Sequence, residues 1–301
     1  MKLITFALES DRAPRVGARL ADGAHILDFG AALGLSAGHD LLAWFDLDGP
    51  WFARARALYE ERAAGAKSLD DTGAVLRRDR ARLLAPVPRP GKLICIGLNY
   101  RDHAAESNMP IPERPVVFSK FATSVATPDQ PVVIPATSAQ VDYEAELAVV
   151  IGRRAKGVPR DRALDYVLGY TNFNDVSARD FQFADGQWQR GKSCDTFAPM
   201  GPYIATTDEI PDPHRLSIRL RLNGQTMQDS NTDQLIFGVP ELVSFLSETI
   251  TLEPGDVIAT GTPPGVGFAR KPPVFLKPGD VMEVEIAGLG VLSSPLIAEE
   301  R

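Results

Sequence analysis

An apolar run led in by two glutamates, Asp142-Tyr-Glu-Ala-Glu-Leu-Ala-Val-Val-Ile151, limits what this chain can fold into more than any other stretch. Leu147–Ile151 is apolar and rich in β-branched residues, which reads as a buried strand. Glu144 and Glu146 sit at i and i+2 where that strand begins, and a period of two puts both on one face. Two ionised carboxylates about 5 Å apart repel by roughly 3 kcal/mol at an effective dielectric near 20. A cation is therefore expected beside them, and a hard divalent ion such as Mg²⁺ or Mn²⁺ suits oxygen-only ligands. Spacing alone also allows a solvated edge strand whose glutamates face water.

The 301 residues fit one large core plus a smaller unit, and 44% hydrophobic with 24% charged residues is ordinary for a soluble globular chain. A net charge of −7 argues against nucleic acid or an anionic membrane as the main partner. It leaves room for a small anionic substrate, because a metal or a few cations can reverse the local field. The two cysteines, Cys95 and Cys194, form no CxxC and no Cys/His cluster, so neither a disulfide scaffold nor a structural zinc is expected. Met1–Leu8 is too short and mixed for a signal peptide, and no apolar run approaches a membrane span. The default location is cytoplasmic.

Ala85-Pro-Val-Pro-Arg-Pro-Gly91 is the clearest break, since proline continues neither a helix nor a central strand. It separates residues 1–84, expected as a cap or dimerisation unit, from residues 90–301, expected as the catalytic unit. His25 and His39 in the first part belong to no chemical cluster. Beyond the break, Lys92–Leu98 reads as a core strand that runs into Asn99–Ser107, with Asn99 as the helix N-cap. On such a helix His103 and Glu106 share a face. The segment is short enough to be a lid, or an ordinary surface turn with a spare histidine.

Tyr166–Phe173 reads as a strand ending at Asn174-Asp175, and a polar helix is expected over Ser177–Phe183. Asp175 is then either aimed into a site or the N-cap of that helix. Gly186–Asp195 is a polar loop carrying Trp188 and Lys192. Leu216–Leu222 alternates as a half-buried strand, and Asn223-Gly224 makes a hairpin turn. Val239–Leu246 reads as an amphipathic helix. Thr260-Gly-Thr-Pro-Pro-Gly-Val-Gly267 lacks the Lys-Ser/Thr of a phosphate loop and reads as an oxyanion-binding or substrate-positioning loop.

Five stretches, in this order, resemble the fumarylacetoacetate hydrolase family. They are Gly97-Leu-Asn-Tyr-Arg-Asp-His-Ala-Ala-Glu106, Asp142-Tyr-Glu-Ala-Glu146, Asn174-Asp-Val-Ser-Ala-Arg-Asp180, Gly191-Lys-Ser-Cys-Asp-Thr-Phe-Ala-Pro-Met-Gly201 and Thr260–Gly267. The resemblance spans roughly residues 90 to 297. It implies an α+β, mainly β fold, a mixed β-sandwich roll with a small N-terminal α+β domain, forming a homodimer that binds Mg²⁺ or Mn²⁺. By position it implies Glu144, Glu146 and Asp175 as metal ligands. It also implies His103 and Glu106 as the pair that activates water, Lys192 as a contact to substrate or its oxyanion, and Gln182 and Thr262 as polar substrate contacts. Lys120 is a further candidate cation.

The implied reaction is metal-dependent hydrolysis of a C–C bond in a 2,4-dioxo acid, of the acylpyruvate or fumarylpyruvate type, giving pyruvate and a carboxylic acid. The same chemistry also fits a 2-oxo acid decarboxylase or isomerase acting on oxaloacetate or a 2-hydroxymuconate-type acid. A non-catalytic metal-binding dimer is the reading from another class.

Overall fold

The computed structural model describes residues 1–300 except 36, 37, 39, 66–72, 107 and 185, so His39 lies outside the described residues. Its organising element is the strand Ala145–Ile151, buried at every position. That strand pairs antiparallel with Val167–Asn174 on one side and with Val257–Ala259 on the other. A strand covered on both faces must be apolar almost throughout, which explains the continuous run in the sequence. Leu147, Val149 and Ile151 enter one core, shared with Tyr170, Ile218, Leu220 and Val284. Ala148 and Val150 enter the other, shared with Leu3, Phe29, Trp44 and Phe52.

The large sheet continues outward from this strand. Beyond Val257–Ala259 come Leu93–Gly97 and the edge strand Val116–Ser119. Beyond Val167–Asn174 come Ala198–Thr206 and then Lys2–Leu8, Asp11–Arg19, His25–Asp28 and Val75–Arg77. Residues on both sides of the proline segment thus belong to one sheet. The segment is itself largely buried, and Thr5 Oγ1 donates to the Pro86 carbonyl at 2.6 Å.

A second, five-stranded sheet of Gln225–Asn231, Ser217–Leu222, Val281–Ile286, Val291–Ala298 and Val132–Ile134 covers the first core. The expected alternation in Leu216–Leu222 is present: Ile218, Leu220 and Leu222 are buried, and Asn223 and Gly224 turn with positive φ of 52° and 79°. The helix Val239–Thr249 packs Val239, Leu242, Val243 and Leu246 into the same core. The fold is α+β and mainly β, as expected.

Two local expectations differ. The polar helix expected over Ser177–Phe183 is a short strand, Ser177–Ala178, followed by one helical turn, Arg179–Gln182. Asn99 does not cap the helix Arg101–Glu106. It is fully buried, its Nδ2 donates to the carbonyls of Phe237 and Thr260, and its Oδ1 accepts from the Phe237 amide. Three bonds to distant backbone hold this side chain, and among the described residues it accepts none from the amides of its own helix.

Candidate metal centre

The register of the central strands brings the acidic residues together. Ala145 faces Asn174 across the ladder, so the residues flanking that pair, Glu144 and Asp175, become neighbours. The Asp175 amide donates to the Glu144 carbonyl at 2.9 Å, and the Glu144 amide donates to Asn174 Oδ1 at 3.0 Å. Glu146, two residues on, points to the same side. One carboxylate oxygen from each of Glu144, Glu146 and Asp175 lies within 4.8 Å of the others. All three are buried, with 8%, 1% and 0% exposure, which removes the solvated edge-strand reading. Asp175 is also not a helix cap, because both of its oxygens face lysines.

Three buried cations surround the carboxylates. Lys192 Nζ bridges Glu144 Oε2 and Asp175 Oδ2, each at 2.7 Å. Lys120 Nζ lies 2.5 Å from Asp175 Oδ1 and donates also to the Val176 carbonyl. Arg179 reaches Glu144 Oε1 at 2.6 Å and holds Asp142 Oδ2 through Nε and Nη2. Burial acts to raise the Glu144 carboxyl, but Lys192 and Arg179 outweigh it and bring it down to about 2. Glu146 has no such cation. Burial first, then the charges of Asp175 and Glu144, push its carboxyl well above the usual range. Among the described residues its carboxylate takes one hydrogen bond, from the Gly261 amide at 2.8 Å. A set of buried hard oxygen donors that is short of positive charge at Glu146 fits a divalent cation such as Mg²⁺ or Mn²⁺.

The loop Thr260–Gly267, expected to bind an oxyanion or to position substrate, also contacts the protein's own carboxylates. Its glycine amides are taken by protein carboxylates: Gly261 by Glu146, Gly265 by Glu106 at 3.1 Å to each oxygen, and Gly267 by Asp142 Oδ1 at 2.7 Å. Gly261 and Gly265 have φ of +101° and +99°, and a Cβ on Gly265 would lie 2.2 Å from the Met227 carbonyl oxygen. Only glycine lets the backbone approach this closely. One loop thereby links the carboxylate cluster to the helix Arg101–Glu106. On that helix His103 Nδ1 lies 3.3 Å from Glu106 Oε2. The helix is docked further by Ser230 Oγ on Asp102 at 2.5 Å and by Arg101 on the Leu235 carbonyl at 2.6 Å.

Lys192 is brought into the cluster, and Lys120 is as central as Lys192. Gln182 reaches the cluster only through Arg179 Nη1, which donates to its Oε1 at 3.0 Å. The Thr262 hydroxyl donates to the Ala145 carbonyl and accepts from Gln228 Nε2, so its proton is unavailable to a ligand. Asp142 and Arg179 were not singled out from the sequence. Asp142 continues the period-two spacing of Glu144 and Glu146 and so carried a readable signal, whereas Arg179 follows the short strand Ser177–Ala178 and its spacing carried none.

A roll of two β-sheets holding three buried carboxylates beside a His–Glu pair defines a metal-binding enzyme scaffold of the fumarylacetoacetate hydrolase class. Residues 92–297 match the family model described as "Fumarylacetoacetate (FAA) hydrolase C-terminal", and the chain belongs to that family. It is 46% identical over 301 residues to "Oxaloacetate tautomerase fahd2, mitochondrial" of Xenopus laevis, covering 99% of this chain and 90% of that one. It is 49% identical over 225 residues to "Oxaloacetate tautomerase FAHD2A, mitochondrial" of Homo sapiens, covering 74% and 72%. Among solved structures, fumarylacetoacetate hydrolase from Exiguobacterium antarcticum superposes with a TM-score of 0.82 at 36% identity over 99% of this chain and 100% of that one. Maleylpyruvate hydrolase from Sphingobium sp. SYK-6, in complex with manganese(II) and pyruvate, superposes at 0.80 with 29% identity over the whole of both chains. No described helix is long and apolar enough to cross a membrane.

Proposed function

We propose that this protein is a Mg²⁺- or Mn²⁺-dependent enzyme that interconverts the enol and keto forms of a small 2-oxo dicarboxylate, with oxaloacetate as the substrate. The observation that carries this reading is the glycine loop, which ties a three-carboxylate centre to a His–Glu pair through Gly261 and Gly265. The names of relatives 46–49% identical to this chain support it. When bound by Glu144, Glu146 and Asp175, the ion supplies a Lewis acid for the negative charge that develops on the keto acid. Lys192 and Arg179 hold Glu144 ionised, and Lys120 and Lys192 orient Asp175 for that task.

Glu106, hydrogen-bonded to His103, moves the proton at C3 of the substrate: it comes off the carbon as the enol forms and returns as the ketone forms. The oxygen at C2 gains or loses its proton to water in the same cycle, so the reaction needs no further reactant. The same pair could activate water. The C4 carboxylate of oxaloacetate is a poor electrophile toward water, however, whereas a ketone at C4 is open to attack. Hydrolysis of a 2,4-dioxo acid to pyruvate and a second acid is therefore the second reading, favoured by the likeness to maleylpyruvate hydrolase. A metal-binding dimer without catalysis is the third. We propose a homodimer in each case, formed over the edge strand Val116–Ser119, where Val116 and Val117 are exposed beside Phe121 at 59%.

The test follows the ultraviolet absorbance of enol oxaloacetate with Mg²⁺ or Mn²⁺ and with EDTA, beside a 2,4-dioxo acid whose products are identified. Ion-dependent loss of the enol without pyruvate release supports the proposal. Pyruvate release from the dioxo acid, with no acceleration of the enol, replaces it with the second reading. Loss of neither substrate leaves the third.

A further inference from the structure

On the far side of the large sheet from residues 116–119, the N-terminal strands meet Ala198–Thr206 at a seam that holds two adjoining cavities, of about 340 and about 420 Å³. Arg19, Arg78 and Arg82 line them against a single carboxylate, Asp129, and the two share Arg78, Leu83, Pro128 and Asp129. In a chain of net charge −7 this is a concentration of the minority sign.

Two of these guanidiniums are half-buried and, among the described residues, have no carboxylate in salt-bridge contact. Arg78 gives one nitrogen, Nη1, to the Ala81 carbonyl at 2.7 Å, and its remaining donors meet no carboxylate among the described residues. Arg19, among the described residues, forms no ion pair. Glu209 on its other side is committed to the Met1 ammonium at 2.8 Å. The two arginines feel one another: burial first, and then the charge of Arg19, lower the Arg78 pKa, with Asp129 opposing. Tyr203 and Leu83 give the cavity an apolar wall, so charges placed here are less screened than on open surface.

We infer that this seam is a binding site for a small dianionic oxyanion, a phosphate or dicarboxylate group gripped by Arg19 and Arg78 with Arg82 at the rim. Guanidinium forks match such groups in geometry, and an anion between the two relieves their mutual repulsion. The site is separate from the carboxylate cluster, and nothing in the proposed reaction uses its residues.

The test is calorimetric titration of the full chain, without added divalent ion, with inorganic phosphate and with succinate, each against sodium chloride of equal ionic strength. Saturable binding of either dianion is expected, and the tighter one identifies the group. In Arg19→Gln/Arg78→Gln the affinity should fall by about tenfold or more with circular dichroism unchanged. Asp129→Asn, which removes the opposing carboxylate, should tighten binding by about threefold, and this arm decides the matter if the double variant fails to fold. Binding of neither dianion, binding unchanged in the double variant, or binding not tightened in Asp129→Asn each overturns the assignment.

Discussion

Glu106 accepts a hydrogen bond from the backbone amide of Gly265 with both carboxylate oxygens, each 3.1 Å from the nitrogen. The carboxylate assigned to proton transfer is thus held by the same loop that contacts Glu146. Replacing Glu106 by Gln should leave Mn²⁺ affinity within about threefold, because Glu106 is not among the three clustered ligands. Turnover should fall on the order of 10²- to 10⁴-fold, the range for a lost general base. Steady-state kinetics beside a Mn²⁺ titration separates the two effects, and unchanged turnover would remove Glu106 from the mechanism.

Lys192 is the second test. It is 3% exposed and bonded to two carboxylates, so Lys192→Met leaves Glu144 and Asp175 facing each other with less compensation. Without a divalent ion the variant should lose about 3 kcal/mol of stability in urea unfolding. Saturating Mn²⁺ should recover more stability in the variant than in the native chain, because the ion then takes over part of the missing charge. Equal gains in both would mean that the lysine and the ion act at separate places.

Asn99 gives a prediction independent of any ligand. Asn99→Ala strands the Phe237 amide and the carbonyls of Phe237 and Thr260 in the interior. The expected loss is about 3 kcal/mol, from buried groups left without partners. Urea midpoints measure it directly, and a loss below about 1 kcal/mol would imply that water reaches these groups.

His214 predicts a pH effect. Its Nε2 accepts from the Val239 amide at 2.9 Å, at the start of the helix Val239–Thr249, so the imidazole is neutral with its proton on Nδ1. Burial lowers its pKa from 6.5, against the opposing pull of Asp212. A depressed folded pKa means stability that is complete above the unfolded value of 6.5 and declines as the pH falls through the folded value. His214→Ala should abolish that component of the urea-midpoint profile and cost about 1 kcal/mol at pH 8 through the lost helix-terminal acceptor. Parallel profiles for the two proteins would refute it.

Much of the centre was legible because period-two spacing and strand ends are local properties. Period-two spacing put Glu144 and Glu146 on one face and a strand end marked Asp175, but it was the family resemblance that joined the three as one ligand set, because the register that pairs their strands is not local. Asn99 was misread because an asparagine before a helix looks like a cap wherever its side chain goes, and its true partners are more than 130 residues away. The glycine loop read as one that binds an oxyanion or positions substrate, and nothing in its own residues showed the carboxylates that it approaches. Its acceptors, Glu106, Asp142 and Glu146, are supplied by two stretches far from it in sequence. Arg179 and Lys120 matter through burial beside carboxylates, a property that no spacing encodes.

The pairing of Lys2 with Ala205 and of Leu3 with Ile204 has a bearing on how the chain acquires its shape. The first strand can fold back locally on Asp11–Arg19, and Phe6–Leu8 on its other edge are met by Ala81–Leu83, yet Lys2 and Leu3 on that edge stay open until some two hundred further residues have left the ribosome. Until then that end of the edge keeps unpaired amides and carbonyls, the kind of surface on which nascent chains associate wrongly. The protein is thus expected to be most vulnerable to aggregation during its own synthesis, before Ala198–Thr206 closes the gap.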